Sequence, residues 1–327
     1  MNVVYPPTID FDFMRQRPQQ LMTQFARHGH LVFFCNKTQH PGREPERVET
    51  NLWIVHDHDS FVKNLVRKVK PTLVWCSWAK LHNTLSLYRP SMVVYDCLDD
   101  FPVWRPYEEA MLKRATAVVA TARTLKERLE RLHPRVALVP NGCEYELFSR
   151  KPPGPPPADL PAGLRRAGFV GALGSWFDAD LVRETARRLR RWQFVLVGPP
   201  FGTREVSGPN IFSLGMKPYS EIPSYIHNFD VALIPFLDDQ ITRATNPIKM
   251  WEYLATGVPV VSTPIPEVLP FSELVRIGEG PEFARQIERV RDDEHLRKKR
   301  KQLAKANSWR ARYEAIARFI PELAPRV

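Results

Sequence analysis

The chain holds 327 residues, 43% of them hydrophobic and 25% charged, which excludes a fibrous or low-complexity protein and allows two domains with separate cores. Lys+Arg 47 against Asp+Glu 36 gives a net charge of +11, which favours anionic partners: phosphorylated substrates, anionic lipid surfaces or nucleic acid. Four cysteines (Cys35, Cys76, Cys97, Cys143) stand far apart with no CxxC pair, against a disulfide framework and for a reducing compartment.

The chain opens on MNVVYPPTIDFDF, without the basic region and apolar run of a signal peptide. No apolar run approaches the roughly 18 residues that would suggest a spanning helix, so membrane contact is expected to be peripheral. Strands are predicted at 2–5, 30–35, 52–55, 72–76, 91–95, 116–120 and 135–139, with helical stretches at 18–29 and 123–133. Strand–helix–strand alternation implies a parallel sheet with helices on both faces. SRKPPGPPPADLPAG (149–163) then breaks the pattern with six prolines and reads as a stiff, extended connector. The alternation restarts, with strands at 167–171, 193–198, 210–215, 230–235 and 258–262, helices at 178–192 and 220–228, and more helix after 280. The fold class is α/β: two Rossmann-like domains facing a cleft, 1–148 and 166–305, joined by a linker 149–165 and followed by a C-terminal segment 306–327.

The order of PNG (140–142), FVG (169–171) and PIKMWEYLATGVPVVST (247–263), with RQRPQQLMTQFARHGHLVFF (15–34), VVYDCLDD (93–100) and FDVALIPF (229–236), resembles the GT-B-fold glycosyltransferases. The likeness runs over nearly the whole chain. It points to a bacterial branch that builds cell-surface polysaccharides from nucleotide sugars, teichuronic-acid-type transferases among them. It implies an N-terminal acceptor domain, a C-terminal donor domain and a last helix returning to the first domain. Many retaining members carry two glutamates eight positions apart; Glu252 matches the second, and Ala244 stands where the first would be. The cation pair that many relatives place after the first strand of the second domain is not evident in GALGSWFDADL (171–181).

The stretch TNPIKMWEYLATGVPVV carries the nucleotide chemistry. A helix N-terminus offers unpaired N–H groups and a partial positive charge, and Pro247 suits its first turn. Lys249 adds a full charge toward a diphosphate, and Glu252, one turn on, can accept two hydrogen bonds from ribose hydroxyls, its role in the resembled family. A solvated Lys–Glu pair is the plain alternative. Asn246 and Ile248 join the nucleotide set, as does Gly171, where a missing side chain lets backbone approach a phosphate. Met216, Lys217 and Tyr219 fall where the resembled family holds the nucleobase; core packing of Met216 and Tyr219 is the alternative.

Asp96, Asp99 and Asp100 in YDCLDD are read as following a buried strand at its carboxyl end. An inverting transferase needs a group to take the acceptor proton. Asp100 is placed slightly ahead of Asp99, with Asp10 next; helix capping is the alternative. Arg15 and Arg17 are candidates for acceptor phosphate or the donor diphosphate, or else simply open a surface helix. HDHD (56–59) lacks a third ligand at a recognisable spacing, so no metal is expected. RKKRKQLAK (297–305) reads as a solvated helix, with contact to an anionic membrane as the sharper option.

The expectation is a cytoplasmic glycosyltransferase, peripheral at the inner face of the membrane. It moves a sugar from a nucleotide diphosphate sugar, UDP favoured and GDP second, to a glycan, lipid-linked or small-molecule acceptor, without bound cofactor or nucleic acid. A sugar-nucleotide epimerase of the same fold and a non-catalytic basic binding protein are the alternatives.

Overall fold

The N-terminal part forms β1 Asn2–Tyr5, β2 Leu31–Cys35, β3 Glu46–Glu49, β4 Leu52–Val55, β5 Leu73–Cys76, β6 Met92–Cys97, β7 Ala117–Ala120 and β8 Val136–Leu138, all but β3 from apolar runs. The computed structural model describes residues 1–202, 206–291 and 293–323. The chain divides into two units, one of Met1–Asn141 with the segment from Trp309 on, the other of Gly142–Ser308. These divisions differ from the 148/149 and 305/306 read from the sequence. Cys143 and Phe148 explain the shift, since both are fully buried in the core of the second unit. The Pro-rich stretch 149–165 also belongs to the second unit, and residues 324–327 lie outside the described residues.

In the first unit the sheet order is β3-β4-β2-β1-β5-β6-β7-β8, parallel except for the β3–β4 pair. The sequence reading missed β3, ERVE, because an exposed charged edge strand carries no apolar alternation. Tyr5, Phe34, Trp75 and Val94 are among its fully buried residues. The helix Arg17–Arg27 starts where Pro18 fits its first turn, with Gln19 Oε1 accepting from Gln16 N at 3.1 Å. The helix Trp309–Phe319 packs on it through Tyr313, whose ring meets Phe25 edge-on at 5.2 Å.

The second unit has a six-stranded parallel sheet: β9 Arg165–Val170, β10 Trp192–Val197, β11 Ile211–Gly215, β12 Val231–Ile234, β13 Val260–Ser262 and β14 Val275–Ile277. Its order is β11-β10-β9-β12-β13-β14. β14 was not read from the sequence, being only VRI with its arginine exposed. Trp192, expected as the end of a helix, begins β10; that helix stops at Arg188. The helix Ile248–Thr256 follows Pro247, which sits as its N-cap rather than inside the first turn. Gly257 ends it with φ +83°, a conformation that costs other residues energy. No helix among the described residues is long and apolar enough to cross a membrane.

Candidate active site

In the second unit, one helix ties the carboxyl end of β9 to a buried carboxylate. Val170 N, at the last residue of β9, donates to the Tyr253 hydroxyl at 2.8 Å. Tyr253 is fully buried, and burial pushes its phenol up, so the ring acts as a neutral strut. One residue earlier Glu252 is only 1% exposed. Its Oε2 accepts from Lys249 Nζ at 2.7 Å, and its Oε1 accepts from the Tyr219 hydroxyl at 3.3 Å. Lys249 lies in the first turn of the helix, among N–H groups that lack intrahelical acceptors.

The other nucleotide candidates fall in different surroundings. Asn246 is buried between Trp251 Nε1, which donates to its Oδ1 at 2.9 Å, and Glu267 Oε2, which accepts from its Nδ2 at 3.0 Å. It anchors the start of the helix. Ile248 is half-buried. Gly171 N donates to Val197 O at 2.9 Å, so this amide belongs to the sheet rather than to a phosphate. The tight approach there involves Gly198, where a Cβ would stand 1.9 Å from Gly171 O. Met216 is 49% exposed, while Lys217 is drawn to Asp159 at 2.6 Å in the Pro-rich stretch. Tyr219 reaches Glu252 and also packs edge-on against Phe148.

In the first unit, β6 runs through Cys97, so Asp96 lies within the strand and does not follow it. Asp96 is 1% exposed and accepts from Arg17 Nε at 3.1 and 2.9 Å and from Trp75 Nε1 at 3.0 Å. Arg17 Nη1 donates to Val139 O, Pro140 O and Asn141 Oδ1 at 3.0, 3.2 and 3.3 Å. This corrects the surface reading of Arg17. A guanidinium buried to 1% is stable only because a carboxylate and carbonyls surround it. Arg15 donates to Thr23 Oγ1 at 3.2 Å and lies over the Phe11 ring.

The three acids proposed as base are held differently. Asp100 is gripped by Arg105, Nε at 3.1 Å and Nη2 at 2.6 Å on its two oxygens, with Arg128 at 3.7 Å. Asp10 accepts from Thr38 N at 2.7 Å and Thr38 Oγ1 at 2.6 Å. Burial would raise the Asp10 pKa, but the Thr38 bonds outweigh it and hold the carboxyl below its usual range. Asp99 is half-buried, two residues past the end of β6.

The HDHD stretch leaves β4 and turns into a short helix at His58. Asp57 caps a helical turn through Ser60 N at 3.0 Å, His56 contacts Glu46 at 3.3 Å, and His58 meets the Tyr88 hydroxyl at 2.5 Å. Among the described residues no group of three or more His, Cys, Asp or Glu is placed to hold a metal ion.

Residues 165–293 match the family model described as Glycosyl transferases group 1. The chain is 26% identical over 368 aligned positions to TuaH of Bacillus subtilis (strain 168), named as a teichuronic acid biosynthesis glycosyltransferase, covering 94% of this chain and 92% of that protein. Its fold matches a sucrose-phosphate synthase from Thermosynechococcus elongatus with a TM-score of 0.76 at 15% identity, over 98% of both chains. It also matches Anabaena Alr3699/HepE in complex with UDP and glucose, with a TM-score of 0.69 at 13% identity over 98% and 99% of the chains. The chain has the two-domain α/β GT-B fold of these structures.

Of the second-unit residues named from the sequence, Lys249, Glu252 and Tyr219 form one bonded group, and Asn246 supports the helix that carries two of them. Lys217 is separately engaged by Asp159. The sequence reading missed Tyr253 as the strut to β9, and Arg105 and Arg128 around Asp100. Tyr253 had a local signal, a tyrosine next to Glu252 on a helix that follows the sheet. The arginines had none, because only the turn after β6 and the packing of Arg123–Glu130 bring them to Asp100.

Proposed function

We propose that the enzyme binds a UDP-sugar at the carboxyl end of β9, with Lys249 and the N-terminus of Ile248–Thr256 on the diphosphate and Glu252 on the ribose. The observation that carries this reading is a carboxylate 1% exposed, held at both oxygens by Lys249 and Tyr219 one turn into that helix. A nucleotide diphosphate gives the two charged groups separate partners. The ribose diol donates to the carboxylate, and phosphate oxygens accept from the ammonium and the helix N–H groups. UDP is favoured over GDP because a structure of this fold carries UDP and glucose.

Transfer breaks the bond from the anomeric carbon to the β-phosphate oxygen and forms one to an acceptor oxygen. The bonding electrons leave with the diphosphate, where Lys249 and the helix dipole stabilise them, without a metal ion. On an inverting course the acceptor proton goes to Asp99. Asp100 is disfavoured, because Arg105 occupies both of its oxygens. The acceptor is a growing cell-surface polysaccharide or its lipid-linked precursor, which the likeness to TuaH supports. The enzyme is cytoplasmic and touches an anionic membrane through exposed Lys298, Lys299 and Lys305 on Glu294–Ala306.

The test is calorimetric titration of UDP and GDP into the full chain and its Lys249→Ala and Glu252→Gln variants. Saturable UDP binding, tighter than GDP and weakened in both variants, is expected. Equal affinity in all three proteins would refute the assignment.

A further inference from the structure

At the opposite, amino end of the second unit's sheet lies a cavity of ≈ 400 Å³. Arg165 opens β9 there, Asp230 precedes β12, and Arg297 and Lys301 project one turn apart from the helix Glu294–Ala306. Lys151 and His227 complete the charged lining, which therefore holds four permanent cations and one carboxylate.

One carboxylate offsets at most one of the four cations. Asp230 Oδ2 accepts from the backbone of Arg166 at 2.7 Å, and its Oδ1 pairs with Arg165 at 3.7 Å. Arg165 also lies 4.1 Å over the Trp192 ring. Arg297 has Glu294 at 3.6 Å, on the exposed side of its own helix. Lys301 donates to Ser149 O at 2.9 Å, which leaves two of its three N–H donors for other partners.

Cations often gather at this end of a sheet to meet the carbonyl ends of helices. Here Arg300 already does so, donating to Gly257 O at 3.3 Å and Leu274 O at 3.1 Å. Lys301 does so with one of its donors, at Ser149 O just past the helix Tyr145–Phe148; Arg297 is additional, and like charges one turn apart weaken a helix. Burial lowers the His227 pKa, a bond to Phe148 O opposes this, and Lys301 and Lys151 lower it further. The imidazole thus stays neutral, and Lys151, Arg165, Arg297 and Lys301 set the sign of the cavity.

We propose that this cavity is a second anion site, taking a phosphate or diphosphate group, separate from the nucleotide end. Lys151, Arg165, Arg297 and Lys301 are its binding residues. The phosphate belongs either to a soluble phosphorylated molecule or to an anionic lipid headgroup.

The test uses sodium pyrophosphate and vesicles of phosphatidylglycerol or phosphatidylcholine, at low salt because the contacts are ionic. Wild type, Lys151→Gln, Arg297→Gln/Lys301→Gln and Lys249→Ala are compared, with far-ultraviolet spectra confirming the fold of each. With the nucleotide end saturated by UDP, saturable pyrophosphate binding that is weakened about threefold by Lys151→Gln and tenfold or more by the double variant supports a soluble phosphate. Sedimentation with phosphatidylglycerol but not phosphatidylcholine vesicles, lost in the same cavity variants, supports a lipid phosphate. The proposal fails if neither probe responds to the cavity variants, or if pyrophosphate binding is lost only in Lys249→Ala. Lys151 is exposed, so its variant decides the matter even if the double variant misfolds.

Discussion

Lys249 Nζ lies 2.7 Å from Glu252 Oε2, yet the two side chains occupy different environments: the lysine is 21% exposed and the glutamate 1%. This is not the solvated helix pair that its spacing suggests. A desolvated carboxylate depends on its donors far more than a surface one does.

Removing the lysine therefore affects stability as well as binding. Lys249→Ala is expected to lose about 1–3 kcal/mol in urea unfolding, because Glu252 keeps only the Tyr219 hydroxyl. Lys249→Ala/Glu252→Gln is expected to regain part of that loss. A double variant no more stable than the single one would show that the pair is not coupled.

Turnover separates the two aspartates after β6. Asp99→Asn is expected to reduce sugar transfer by roughly 10²–10⁴-fold with UDP affinity unchanged. Asp100→Asn is expected to lower thermal stability, since it loosens the Arg105 and Arg128 contacts. Full transfer by Asp99→Asn would exclude it as the base.

The buried Arg17–Asp96 pair calls for a stability measurement, not a kinetic one. Either Arg17→Gln or Asp96→Asn leaves a buried charge without its partner and is expected to cost about 3–5 kcal/mol. Folded protein of near wild-type stability from both variants would contradict this arrangement.

His30 makes the stability of the first unit depend on acid. Burial, then the positive N-terminus and His28, lower its pKa from 6.5 to about 4. Unfolded, it takes up a proton near pH 6.5; folded, only near pH 4. Its contribution is whole above pH 6.5 and is lost progressively as pH falls toward 4. Urea midpoints of wild type and His30→Gln across that window are expected to converge as pH falls; parallel curves would rule the effect out.

Gly257→Ala tests the packing of two helices. Its φ is +83°, and an added Cβ would stand 2.6 Å from Arg297 Cγ. A loss of about 1–3 kcal/mol is expected, read from the midpoint of thermal unfolding; an unchanged midpoint would mean that Arg297 moves aside freely.

Strand–helix alternation, the proline-rich break and the PIKMWEYLATG stretch were enough to read two parallel α/β units and the helix that follows Pro247, because periodicity and turn residues are local properties. The exposed edge β3 escaped, since ERVE carries no apolar period. Tertiary structure decided what each charged residue is for. Arg17 and Asp96 are 79 positions apart, and Tyr219 and Glu252 are 33 apart. Burial then makes one arginine internal, one lysine–glutamate pair desolvated and one aspartate arginine-bound. Desolvation and partner geometry depend on which segments the fold brings together, and no local pattern records that.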